Sequence, residues 1–217
     1  MPTSGPRFPR DEYDIVSPRL IIRTAQESDA EGLLQYLQTP ENFPYFPCEK
    51  DLTLERLRGR FSRWKAMQPE GKNAFMVITL RETGEVIGQG SYNCFEWVES
   101  TAAAGESGSE AEEKKKLFTD LGVMIDHKHW RKGLGTEAYC SLMEFAIAEL
   151  GCDLFRTETA AENEPWKATV RSLGLSDVES FGPQSYDANV TGWVWKYNAR
   201  DWQKAKAGLQ EKGKWPM

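Results

Sequence analysis

The stretch "DLGVMIDHKHWRKGLGTEA", Asp120 to Ala138, decides how this chain folds. It begins as a short apolar run, crosses a basic turn with two glycines, and ends in strong helix formers. A helix mouth offers unpaired amides and a partial positive charge, and both attract anions. Glycine lets a phosphate approach the backbone and permits dihedrals that other residues avoid. Arg131 and Lys132 add charge, and Thr136 adds a hydroxyl near the first helical turn. "WRKGLGT" therefore reads as a strand–helix connection or, more sharply, as a loop that holds a pyrophosphate. It is not a Walker loop, because the lysine precedes the glycines. No third glycine completes a dinucleotide fingerprint.

The rest of the chain supports an ordinary soluble domain. It has 217 residues, 40% hydrophobic and 28% charged, enough for one core with decorations. The net charge of −6 and the lack of a basic stripe exclude a general nucleic-acid binder. Cys48, Cys94, Cys140 and Cys152 are far apart, so neither a zinc site nor a disulfide framework is expected. His127 and His129 have no fixed acidic or thiol partner, and no metal is expected there. The start has no apolar leader and no run is long enough to span a membrane, which gives a cytoplasmic, reducing expectation.

Periodicity orders the elements. Residues 1–17 read as a polar, proline-rich arm. "RLIIRTA" (Arg19 to Ala25) is a strand, and "SDAEGLLQYLQ" opens a helix with Ala30, Leu33, Leu34 and Leu37 on one face. "TPENFPYFP" (Thr39 to Pro47) holds three prolines and three aromatics, so it is a shaped loop, either a packed connection or a lid. Thr53 caps a second helix that carries Leu54, Leu57, Phe61 and Trp64. "AFMVITL" and "EVIGQGSYNCFEW" form a hairpin around Thr83-Gly84. Residues 98–116 are polar and low in complexity and read as a mobile insertion. The strand Leu117 to Ile125, the glycine turn and a helix from about Thr136 to Leu150 follow. Next come a strand Asp153 to Ala160, a short helix with Pro165 in its first turn, a last strand "GWVWKYNA" and a helical tail over 201–217. Trp193 and Trp195 share one face of that strand, as core or as a pocket wall. The order gives a mixed α/β, or α+β, single domain.

Several separated motifs, in this order, resemble the GNAT superfamily of acetyl-CoA-dependent N-acetyltransferases. They are "SPRLIIRTAQESDAEGL", "WRKGLGTEA" and "TETAAENEPWKATVRSLGL". The resemblance is nearest to the branch of ribosomal-protein alanine acetyltransferases, with "RL-x-hydrophobic-R" at Arg19 to Arg23 and "D-A-E" at Asp29 to Glu31. It implies a GNAT domain over 18–200, with a mixed central sheet, a splayed parallel strand pair and flanking helices. It also implies acetyl-CoA as co-substrate. Trp130, Arg131, Lys132, Gly133, Leu134, Gly135 and Thr136 then match the pyrophosphate loop. Val123, Met124 and Ile125 match the strand beside the pantetheine arm, and Asn163 matches an asparagine that contacts the coenzyme. Two positions depart from the family. Trp166 stands where the branch has a small residue, and Val170 stands where many members have a tyrosine acid.

Acetyl transfer needs a neutral amine, yet a lysine-like amine has a pKa of about 10.4 and an α-amine about 8. A base must therefore take a proton, directly or through water. Asp120, Glu158 and Tyr92 are the candidates, each also readable as a structural strand residue. Backbone amides near Val123 and Met124 are candidates for holding the oxyanion. The expected acceptor is a small-molecule or peptide amine, with no nucleic acid or membrane partner, in a monomer or homodimer. The rival readings are an acyl-CoA-binding module without turnover and a turn that binds no phosphate.

Overall fold

The computed structural model describes residues 5–99 and 115–217. Alternation on "AFMVITL" places Met76 and Ile78 in one apolar cluster and Val77 in another, so this strand is buried on both faces. The sheet around it comprises β1 (Asp14–Val16), β2 (Leu20–Thr24), β3 (Ala74–Leu80), β4 (Val86–Glu99), β5 (Lys115–Ile125), β6 (Cys152–Ala160), β7 (Glu179–Pro183) and β8 (Thr191–Asn198). Their spatial order is β1-β2-β3-β4-β5-β6-β8-β7. Every neighbouring pair is antiparallel except β5–β6.

Helices α1 (Ala30–Gln38) and α2 (Leu54–Met67) cover one face, packing Leu33, Leu37, Leu57 and Phe61 around Val77. Thr53 caps α2 by accepting from the Arg56 amide. The other face is covered by α3 (Leu134–Phe145), α4 (Glu164–Ser172) and α5 (Ala199–Glu211). Trp202, Ala205 and Leu209 of α5 are all buried, as their spacing predicts. Parallel neighbours need a crossover, and here α3 supplies it. It closes in a π turn over Ala146–Leu150 and stops at Gly151, which sits at φ 76°.

The parallel pair runs from Leu117↔Cys152 to Asp120↔Arg156 and then parts. Beyond it β5 continues to Ile125 and β6 to Ala160 without pairing to each other. Thr157 Oγ1 donates to the Leu121 carbonyl at 3.1 Å and ties the point of separation. The order of elements and the splayed pair agree with the sequence reading.

Four details differ from it. The polar arm contains an edge strand, β1, and a fully buried Tyr13, because Asp14–Val16 pair with Ile21–Arg23. Residues 98, 99, 115 and 116 belong to strands, pairing Val98↔Lys116 and Glu99↔Lys115. The rest of the expected insertion, 100–114, lies outside the described residues. Helix α3 begins at Leu134, directly after Gly133 and two residues before the expected start at Thr136. Strand β7 was not legible, because "ESFGP" carries glycine and proline and is mostly exposed at the sheet edge.

Candidate active site

The glycine loop leaves the far end of β5. Asp126 Oδ1 accepts from the Lys128 amide at 2.9 Å and starts a single 3₁₀ turn, His127–His129. Trp130 then folds back, donating its indole N–H to the Ile125 carbonyl at 2.6 Å. Arg131 is left-handed at φ 60° although it carries a side chain. That conformation costs on the order of 1 kcal/mol, so the surroundings must hold it. Gly133, at φ 75°, turns the chain into α3. No side chain caps the first turn of α3, so its leading amides stay available to an anion. Gly135 is already helical. A Cβ placed there would meet Ile125 Cγ1 at 3.8 Å, an ordinary van der Waals contact, so a side chain fits at this position without a clash.

Two hidden supports hold this loop. Arg19 donates Nη1 to the Lys132 carbonyl at 2.8 Å and Nε to Glu137 Oε2 at 2.6 Å. Glu137 is fully buried and also accepts from Ser17 Oγ at 2.6 Å and the Arg19 amide at 2.8 Å. Asn42, from the aromatic loop, is 6% exposed. Its Oδ1 accepts from the His127 amide at 2.7 Å, and its Nδ2 donates to the Tyr36 carbonyl at 3.0 Å. The Thr39–Pro47 loop is therefore packed against the base of the glycine loop. Among the described residues no group of three His, Cys, Asp or Glu side chains gathers as a metal would need.

The opposite wall lies on the face of β4–β6 away from α3. Phe155 and Leu121 point into the core under α3, so their neighbours Arg156, Glu158 and Asp120 point the other way. Register slips between Tyr92 and Cys94, which makes a bulge at Asn93. Asn93 Nδ2 donates to Asp120 Oδ1 at 2.7 Å, and Arg156 Nε donates to Asp120 Oδ2. Burial pushes the Asp120 carboxyl above its ordinary range, while those bonds pull it back. Glu158, its side chain 9% exposed, lies 3.8 Å from Arg156 Nε. It accepts from the Ser185 amide at 3.1 Å and from Ser185 Oγ at 2.5 Å. Cys94 faces the same group, and burial, with Asp120 and Glu96 adding, pushes its thiol up to about 11.

The remaining predicted residues take other places. Tyr92 is fully buried among Tyr13 and Phe95 and donates its hydroxyl to the Leu142 carbonyl at 2.7 Å. It is a core residue that no external amine reaches. Asn163 caps α4, accepting from the Trp166 amide at 3.1 Å and donating to Thr159 Oγ1 at 2.8 Å. Trp166 lies edge-on to Tyr139, with ring centroids 5.5 Å apart. Val123 is half-buried and Met124 is exposed along the open part of β5. Trp195 is buried, and Trp193 is half-buried beneath Lys167, whose Nζ is 4.0 Å from the ring. Arg156, Asn93 and Ser185 were not singled out from sequence. Only the i, i+2 spacing of Arg156 and Glu158 on one strand hinted at a shared face.

The sequence profile of the acetyltransferase (GNAT) domain matches residues 19–176. An uncharacterized N-acetyltransferase, p20, from Bacillus licheniformis is 25% identical over 161 residues, covering 74% of this chain and 81% of that protein. Among solved structures, Mycobacterium smegmatis RimJ in complex with CoA-disulfide aligns with a TM-score of 0.66 at 14% identity, over 97% of this chain and 98% of the other. A GNAT-family acetyltransferase from Bacillus anthracis aligns with a TM-score of 0.59 at 18% identity, over 86% and 97%. Such identities establish a common fold, and the family profile spans well over half the chain. The chain belongs to the GNAT acetyltransferase family and is an acetyltransferase.

Proposed function

We propose that the protein moves the acetyl group of acetyl-CoA to a primary amine by direct attack, with both substrates held in the gap between β5 and β6. The observation that carries this reading is the gap itself. It opens at Asp120/Arg156, with the glycine loop at one end and the Asp120–Arg156–Glu158 group beside its apex. The residues present suit the coenzyme. The uncapped start of α3 and the exposed Arg131 and Lys132 fit a pyrophosphate. Acetyl-CoA supplies an acetyl group activated as a thioester. Successive residues of a strand point their amides to opposite edges, so one of Val123 and Met124 faces the gap and can steady negative charge there.

Glu158 is the group that takes the amine proton. Its carboxylate is held by Ser185 on the acceptor face and is not tied up in a close ion pair. Asp120, bound by Asn93 and Arg156, positions that cluster. Holding two substrates side by side supplies much of the rate. The test is release of free coenzyme A thiol from acetyl-CoA against a panel of amines and short peptides. Amine-dependent release that falls by at least about 100-fold in Glu158→Gln supports the reading. Acetyl-CoA binding without release for any amine would favour a binding module.

A further inference from the structure

We infer that Arg156 reads a carboxylate on the acceptor, so that the amine substrate is amino-acid-like, with its carboxylate a bond or two from the nitrogen. This rests on the acetyl-transfer reading and adds the substrate class. Among the described residues, Arg156 bonds only through Nε, to Asp120, and its Nη1–Nη2 edge has no partner. The side chain is 20% exposed, so that edge opens onto the acceptor face. Its plane is fixed, because Cζ lies 5.3 Å from the centroid of the Phe118 ring while Asp120 holds Nε. A fixed guanidinium edge with two parallel N–H groups matches a carboxylate bidentately.

The neighbours suit the rest of such a substrate. Glu158 lies beside Arg156, so the two charges of a zwitterion would each meet an opposite charge. Gln184 provides a second unpaired polar group on this side. It is 3% exposed, precedes the Ser185 that binds Glu158, and neither carboxamide atom has a partner among the described residues. Its Nε2 lies 2.8 Å from where a Cβ on Gly192 would stand, and Gly192 pairs with Ala160 on the strand that carries Glu158. A site built to bond a substrate group rejects analogues that lack it far better than an apolar pocket can.

The experiment compares kcat/KM for each of the twenty common amino acids with that for its carboxamide, in the wild type and in Arg156→Lys. The variant keeps the charge and loses the fork. At least one pair should favour the acid by about 100-fold, and in Arg156→Lys the acid should lose at least about tenfold more kcat/KM than its own amide, so that the ratio shrinks by that factor whatever the amide itself loses. An equal loss for acid and amide would mean that Arg156 is only a structural bridge, and would overturn the inference. So would equal use of acid and amide in every pair. Turnover of amides or peptides alone keeps acetyl transfer and removes the carboxylate, whereas no turnover of any amine removes both. If Arg156→Lys fails to fold, 2-hydroxy acids tested as inhibitors of the wild type give the answer. They should compete with the acceptor, and their amides should not.

Discussion

Gly135 and Gly133 look alike in "KGLG" and do different work. Gly133 carries the left-handed turn, whereas Gly135 is a helical residue where an added Cβ would make only an ordinary contact with Ile125. Gly135→Asp should therefore fold at least as stably as the wild type, since an acidic residue suits a first helical turn. The same carboxylate should repel the coenzyme phosphates. Calorimetry should show acetyl-CoA affinity down by at least about tenfold, with Tm unchanged or higher. Retained affinity would refute the pyrophosphate assignment. Tyr92→Phe makes the opposite pattern. It removes a buried hydroxyl bonded to the Leu142 carbonyl. Stability should fall by about 1 kcal/mol in urea titration, and kcat should stay the same. The sequence places Tyr92 on the right strand, but its face depends on the bulge that follows it at Asn93.

Ion pairs between elements give the "RL-x-hydrophobic-R" and "TEA" motifs a structural task in this chain. Arg23 grips Asp29 through two bonds of 2.7 and 2.8 Å and so fixes the entry to α1. Arg19 grips Glu137 and, through the same guanidinium, the Lys132 carbonyl. These motif residues thus act on the scaffold, and on the glycine loop only as its brace. Glu137→Ala should cost about 2 kcal/mol, moderated because the Arg19 side chain is half exposed and can regain water. It should also raise the KM for acetyl-CoA more than it lowers kcat, since the loop loses its brace. A change confined to kcat would show that the brace does not reach the loop.

Across the whole molecule, burial of thiols sets an alkaline limit. Cys140 and Cys152 are pushed up to about 12, mainly by burial. Above about pH 9 the unfolded chain releases these protons and the folded chain keeps them, so stability falls as pH rises. Each thiol should remove about 1.4 kcal/mol per pH unit between roughly pH 9 and 12, and urea midpoints at pH 8 and 10 measure the drop. A midpoint that holds or rises would contradict the buried placement. The sequence by itself determined the element order, the caps at Thr53 and Gly151, the buried face of α5 and the glycine turn. These follow from local dihedral preference and periodicity, which act within a few residues. Only the tertiary structure decided that Asp120, Arg156, Asn93, Glu158 and Ser185 meet, because strand register brings together positions far apart in the chain. It also decided the edge strands β1 and β7. Their short segments hold a strand conformation only because a neighbouring strand satisfies their backbone groups.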